Sequence, residues 1–268
     1  MREFLKSVNR IVVKIGTSSL IHPNGKINFS GIDQLAFVLT DLRNQGKELL
    51  LVSSGAIGVG MDKLNLRERP QEIPIQQAVA AVGQSELMHI YNQRFLGYSQ
   101  QTAQVLLTRD VVDFPESRSN VINTLEQLLS MGIIPIINEN DTVAVDEMDH
   151  TRKFGDNDEL SAVVSQLMAA DVLIMLSDID GFYSDNPTKN QQATLYSAIS
   201  MIDQTLLEQA GSEGSRFGTG GMLSKLKAAQ RVLAANSTMV LANGKPPRII
   251  FDILAGDEIG TLFKEGSV

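Results

Sequence analysis

The chain has 268 residues, with 23 Lys+Arg against 31 Asp+Glu and a net charge of −8. A chain this long buries about 75% of its extended-state surface, enough for one large core or two coupled lobes. The absence of cysteine excludes disulfide frameworks, thiolate zinc sites, iron–sulfur ligation and cysteine nucleophiles, and the acidic balance excludes phosphate-backbone binding as the main task, so no nucleic-acid partner is expected.

The first residues, MREFLKSVNR, lack the apolar run of a signal peptide. No stretch approaches the ~18 apolar residues of a membrane helix. The expectation is a soluble, cytoplasmic chain with no membrane partner.

Short β-branched runs alternate with amphipathic stretches, the pattern of a parallel sheet with crossover helices. In chain order the pattern predicts a strand at Ile11–Ile15, a helix at Gly31–Asn44, a strand at Glu48–Ser53 and a helix at Pro74–Phe95. A strand at Ala103–Thr108, a helix at Ser117–Met131, a strand at Ile133–Asn138 and a helix at Asn157–Ala169 follow. The last are a strand at Asp171–Ser177, a helix at Gly221–Ala235, and strands at Thr238–Ala242 and Arg248–Asp252. Continuously apolar strands such as LLLV and VLIML are expected where helices cover both faces. Long irregular segments are predicted at 139–155, 184–194 and 211–220, and in a compact α/β domain such loops are more often functional than structural. Ligands in open α/β sheets sit beyond the carboxyl ends of the strands, which is where chemistry is sought.

The common P-loop, dinucleotide, zincin and serine-hydrolase motifs are missing from the sequence, so those readings lose support. Segments at strand ends stand out instead. Lys14 interrupts an apolar strand before Gly16-Thr17-Ser18, and it needs either an anion or a path for its ammonium to water. Ser54-Gly55 leads from a strand into small residues, where a hydroxyl and backbone N–H groups can hold a carboxylate or phosphate, or simply cap a helix.

Asn138-Glu139-Asn140-Asp141 ends another strand. Amide and carboxylate groups together can take both charged ends of an amino acid, although the segment also reads as an exposed acidic loop. Asp156-Asn157-Asp158 opens a helix with more polar groups than one cap needs. In Gly218-Thr219-Gly220-Gly221-Met222-Leu223-Ser224-Lys225, glycines before a helix let backbone amides approach an anion, and Lys225 falls on the face of the first turn. A lysine there opposes the helix dipole, so an anionic partner would account for it.

These segments, together with Ser177-Asp178-Ile179-Asp180-Gly181-Phe182-Tyr183, resemble the amino acid kinase family in order and approximate spacing, from about Val12 to Phe263. GDND and GTGGM-x-x-K resemble the branch acting on the side-chain carboxylate of L-glutamate, as distinct from carbamate, acetylglutamate, aspartate and uridylate kinases.

The resemblance implies a three-layer α/β/α sandwich with a mainly parallel sheet. It also implies ATP- and Mg²⁺-dependent phosphorylation of glutamate as the first step of proline synthesis. By position, Lys14, Lys225 and Asp158 correspond to the catalytic groups, and Ser54, Gly55, Asn138, Asp141 and Asn157 to the glutamate site. Lys14, Ser177, Asp178, Thr219, Gly220, Gly221, Met222, Leu223, Ser224 and Lys225 correspond to the nucleotide site, and no protein ligand of the metal is assigned.

One kinase domain over 1–268 is expected, with its nucleotide side mainly in 171–268. Only five residues follow Phe263, so the C-terminal PUA domain of many members is not expected. A homo-oligomer and feedback inhibition by proline are implied by the family alone. Two departures, Ser224 where Thr is frequent and Ser177-Asp178 where Thr-Asp is common, both keep a hydroxyl.

Chemically, a glutamate side chain has a reference pKa of about 4.3, so the nucleophile is already ionised and needs no general base. The remaining task is to relieve repulsion between a carboxylate and a triphosphate and to align them. The alternatives are a sibling kinase acting on another carboxylate or carbamate, and a catalytically silent glutamate or proline sensor. Retention of both lysines weighs against the sensor.

Overall fold

Alternate residues of each strand enter different cores. In β1 (Arg10–Ile15), Ile11, Val13 and Ile15 join one buried cluster and Val12 joins another. In β2 (Glu48–Ser53), Leu49 and Leu51 face the first cluster while Leu50 and Val52 face the second. That two-sided burial follows from the period-2 geometry of a strand whose residues are apolar throughout. It makes the sheet the middle of three layers.

The computed structural model describes residues 2–143, 156–187, 189–211 and 221–266. Of the predicted irregular segments 139–155 and 211–220, residues 144–155 and 212–220, including Phe154, Gly155, Thr219 and Gly220, lie outside the described residues. The remaining strands are β3 (Thr102–Leu107), β4 (Ile134–Glu139), β5 (Val172–Ser177), β6 (Ala198–Ile199), β7 (Thr238–Asn243) and β8 (Thr261–Phe263). Their order in the sheet is β3-β4-β2-β1-β5-β7-β8-β6, parallel throughout except for the β7–β8 pair.

The helices are α1 (Thr17–Leu20), α2 (Phe29–Asn44), α3 (Ala56–Lys63), α4 (Ile73–Leu96), α5 (Asp110–Asp113), α6 (Pro115–Ser130), α7 (Asn157–Leu167), α8 (Gln204–Gly211), α9 (Gly221–Ala234) and α10 (Ile249–Leu254). α2, α4 and α10 cover one face, and α6, α7 and α9 cover the other. Local chemistry sets several helix starts. The Asn28 side chain accepts from Gly31 N at 3.0 Å to open α2, and prolines occupy the first turns of α4 and α6, where a missing N–H leaves no donor unsatisfied.

The predicted strand at Arg248–Asp252 is instead α10. Its buried residues, Ile250, Ile253 and Leu254, are spaced i, i+3, i+4, and a short, mostly apolar segment does not by itself distinguish a strand from a buried helix. β8, β6 and α8 are too short or too polar to announce themselves. The other predicted elements are present with ends shifted by no more than two residues, the usual uncertainty of element boundaries.

Candidate active site

β1 lies at the centre of the parallel strands, with β2 on one side and β5 on the other. Lys14 shares the strand parity of Val12 and therefore points to the α7/α9 side. Its side chain is 8% exposed, with Nζ 2.6 Å from Asp158 Oδ1, an ion pair by distance rather than a directed hydrogen bond. Lys225, in the second turn of α9, reaches the other oxygen: its Nζ donates to Asp158 Oδ2 at 3.0 Å and to Gly221 O at 3.1 Å. Ser224 Oγ donates to the same Oδ2 at 2.8 Å.

The first turn of α7 places Asp158 at this meeting point. The Asp156 carboxylate caps the helix, accepting from Asp158 N at 3.0 Å and Glu159 N at 3.1 Å, as a good N-cap acceptor does. Burial alone would push the Asp158 carboxyl up, but the Lys14 and Lys225 ammoniums outweigh burial and hold it below the ordinary carboxylate value. It is therefore an anion at neutral pH, and it holds two cations close together.

Next to Asp158 in the chain, Asn157 Nδ2 faces Ser54 Oγ at 2.9 Å, Asn138 Oδ1 at 2.9 Å and Ser53 O at 3.1 Å. One amide thus ties the ends of β2 and β4 to the start of α7. Asn138 Nδ2 donates to Gln84 Oε1 at 2.9 Å, and its Oδ1 accepts from Glu139 N at 2.9 Å. Ser53 Oγ lies 2.8 Å from the hydroxyl of the buried Tyr91, whose titration burial pushes well up.

A cavity of about 340 Å³ opens here, lined by Thr17, Gly55, Asn138, Asp141 and Asn157, with α3 residues Ala56 to Gly58 and with Arg69. It is of a size used for small ligands. Gly55 makes the turn into α3 with φ +101°, a backbone conformation open to glycine and strained for other residues. Of the predicted substrate residues, Gly55, Asn138, Asp141 and Asn157 line the cavity, while Ser54 is tied to it through Asn157.

The predicted nucleotide residues divide. Ser177 ends β5, the strand next to β1, and its Oγ donates to Asp178 Oδ1 at 3.1 Å. Gly221, Ser224 and Lys225 stand at the Asp158 cluster. The Met222 side chain is buried in the core and is not available to a ligand. Leu223 and Ser224 line a separate groove with Arg109, Lys227 and Arg231.

Sequence reasoning missed Tyr91, Gln84 and Arg69. None carries a local signal, because α4 and the α3–α4 segment bring them to the site only in the folded chain.

The amino acid kinase family profile matches residues 9–243. The chain belongs to the amino acid kinase family. Within that family it is 69% identical to a glutamate 5-kinase of Enterococcus faecalis over 266 residues, covering 99% of this chain and 98% of that protein. It is 62% identical to a glutamate 5-kinase of Listeria monocytogenes over 263 residues, covering 98% and 95%. The fold is also that of the Giardia lamblia carbamate kinase bound to AMP-PNP, with a TM-score of 0.68 at 15% identity, covering 97% of this chain and 100% of that one. The isopentenyl phosphate kinase of T. acidophilum aligns with a TM-score of 0.65 at 17% identity, covering 96% and 100%.

Proposed function

We propose that this chain transfers the γ-phosphoryl group of ATP to the side-chain carboxylate of L-glutamate, forming L-glutamyl 5-phosphate and ADP as the first step of proline synthesis. The observation that carries the reading is the placement of two lysines on one buried carboxylate beside a cavity lined by amides and acids. Relatives 69% and 62% identical, named glutamate 5-kinase, support the same substrate.

In this reading the cavity holds glutamate, with its ammonium toward Asp141 and its side chain toward Asn157 and the lysine pair. A carboxylate oxygen attacks the γ-phosphorus, the bond from phosphorus to the bridging oxygen breaks, and ADP leaves with that electron pair. No proton has to move. The barrier lies in bringing two anions together, and Lys14 and Lys225 serve by stabilising the charge on the transferring group. Asp158 keeps the two ammoniums from repelling each other and fixes their positions while it remains outside the reaction.

The nucleotide occupies the side built mainly from 171–268, with the residues from Thr219 to Lys225, Ser177 and Asp178 around its phosphates, within one kinase domain. Among the described residues no group of three or more carboxylate or histidine side chains is placed so that it could hold a metal ion. That suits Mg²⁺, which commonly binds through one or two carboxylates, substrate phosphates and waters, and when bound it neutralises phosphate charge. A cytoplasmic location, a homo-oligomeric state and inhibition by proline belong to the same reading through the family. No described helix is long and apolar enough to cross a membrane.

The deciding assay is ATP-dependent formation of glutamyl hydroxamate in hydroxylamine, which traps the acyl phosphate. Product with glutamate is expected. Product with aspartate or acetylglutamate instead would transfer the chain to a sibling activity, and no turnover with any of them would favour a sensor.

A further inference from the structure

The cavity beside Asn157 has an unusual charge inventory for the ligand assigned to it. Among the described residues, three that line it, Glu139, Asp141 and Asp156, are acidic. Glutamate brings one ammonium and two carboxylates. Its reacting carboxylate has Lys14 and Lys225 nearby, and its ammonium has acids to meet. The α-carboxylate is then left facing acids, which is unfavourable unless a cation is within reach.

Among the described residues lining the cavity, Arg69 is the one lysine or arginine. It lies on the segment between α3 and α4, exposed to solvent, and among the described residues it forms no ion pair. Its guanidinium is therefore uncommitted. A planar guanidinium matches a carboxylate with two parallel N–H donors, a geometry that a lysine ammonium lacks.

We infer that Arg69 is a substrate-specificity residue that pairs with the α-carboxylate of glutamate at the mouth of the cavity. The α-carboxylate then sits between Arg69 and the N-terminus of α3, whose residues Ala56 and Ile57 also line the cavity. This placement turns the side chain inward toward the lysine pair. It selects amino acids carrying a free α-carboxylate over simple carboxylates of the same length. The assignment rests on the glutamate kinase reading above.

The test compares the unaltered chain with Arg69→Ala and Arg69→Lys in the hydroxamate assay, varying glutamate and ATP separately. A charge-assisted hydrogen bond is worth enough to predict about a tenfold rise in KM for glutamate in Arg69→Ala. The KM for ATP, kcat and Tm should be unchanged, because the side chain is exposed and forms no ion pair among the described residues. Arg69→Lys should recover part of the loss.

A second ligand isolates the contact. 4-Aminobutyrate keeps the reacting carboxylate and the ammonium but lacks the α-carboxylate, so as a competitor it should inhibit the unaltered chain and Arg69→Ala equally. An unchanged glutamate KM in Arg69→Ala overturns the assignment, as does equal weakening of both ligands. Failure of the unaltered chain to use glutamate at all would overturn the proposed function, and this assignment with it.

Discussion

The Lys14 ammonium lies 2.6 Å from Asp158 Oδ1, with both side chains less than a tenth exposed. Because Lys225 holds the opposite oxygen, Asp158 separates two positive charges that would otherwise repel in a water-poor site. Replacement by Asn keeps the shape and removes the charge. Loss of one partner from a buried pair costs about 3–5 kcal/mol, so Asp158→Asn should lower Tm markedly and reduce kcat as the lysines move apart. Chemical denaturation together with steady-state kinetics checks both, and a variant as stable as the parent would show that the lysines do not depend on this acid.

The same carboxylate predicts a pH dependence. Its native pKa is held below the ordinary value, so between the native value and the unfolded value of about 3.9 the unfolded chain binds more protons. The stability contributed by Asp158 is complete above the unfolded value and is lost as pH falls through the native one. Tm measured from pH 7 to pH 3 should thus fall less steeply for Asp158→Asn than for the parent. Parallel acid limbs would mean that other carboxylates account for the slope.

Lys225 stands in a different position, because removing it leaves Asp158 paired with Lys14. Lys225→Ala should cost little stability yet reduce kcat by about 10²–10³, the loss typical of one stabilising donor at a developing anion. Binding of glutamate measured by calorimetry should persist. If the variant fails to fold, Lys225 is a structural residue and its proposed role at the phosphate fails.

The sheet was legible because its strands are long apolar runs that need helices on both faces, and Glu48–Ser53 was predicted to the residue. Lys14 was legible for a related reason, as a charge inside such a run has to be satisfied by something. α10 was not, since Ile249–Leu254 is short and β-branched and gains its helical form by packing Ile250, Ile253 and Leu254 into the core. The site was legible as separate strand ends, but their connections were not. That Asn157 reaches both Ser54 and Asn138, or that Ser224 shares Asp158 with two lysines, depends on helices crossing strands far apart in sequence. Arg69 and Tyr91 sit on stretches whose local pattern is that of any loop and any core helix.

The close approach of α3 and α4 gives a test remote from the chemistry. A Cβ on Gly83 would lie 1.8 Å from Ala56 O and 2.5 Å from Gly60 N, both backbone atoms of α3. Backbone cannot swing aside as a flexible side chain does, so Gly83→Ala must push α3 away from α4. Overpacking of this kind costs about 1–3 kcal/mol. Because Ala56, Ile57 and Gly58 form one wall of the cavity, the same displacement should raise the KM for glutamate more than the KM for ATP, whose proposed site rests on α9 and the end of β5. Thermal unfolding and the two KM values decide the matter. Equal losses on both substrates would mean that the strain spreads through the sheet, and no loss on either would mean that α3 has room to move without carrying the cavity wall with it.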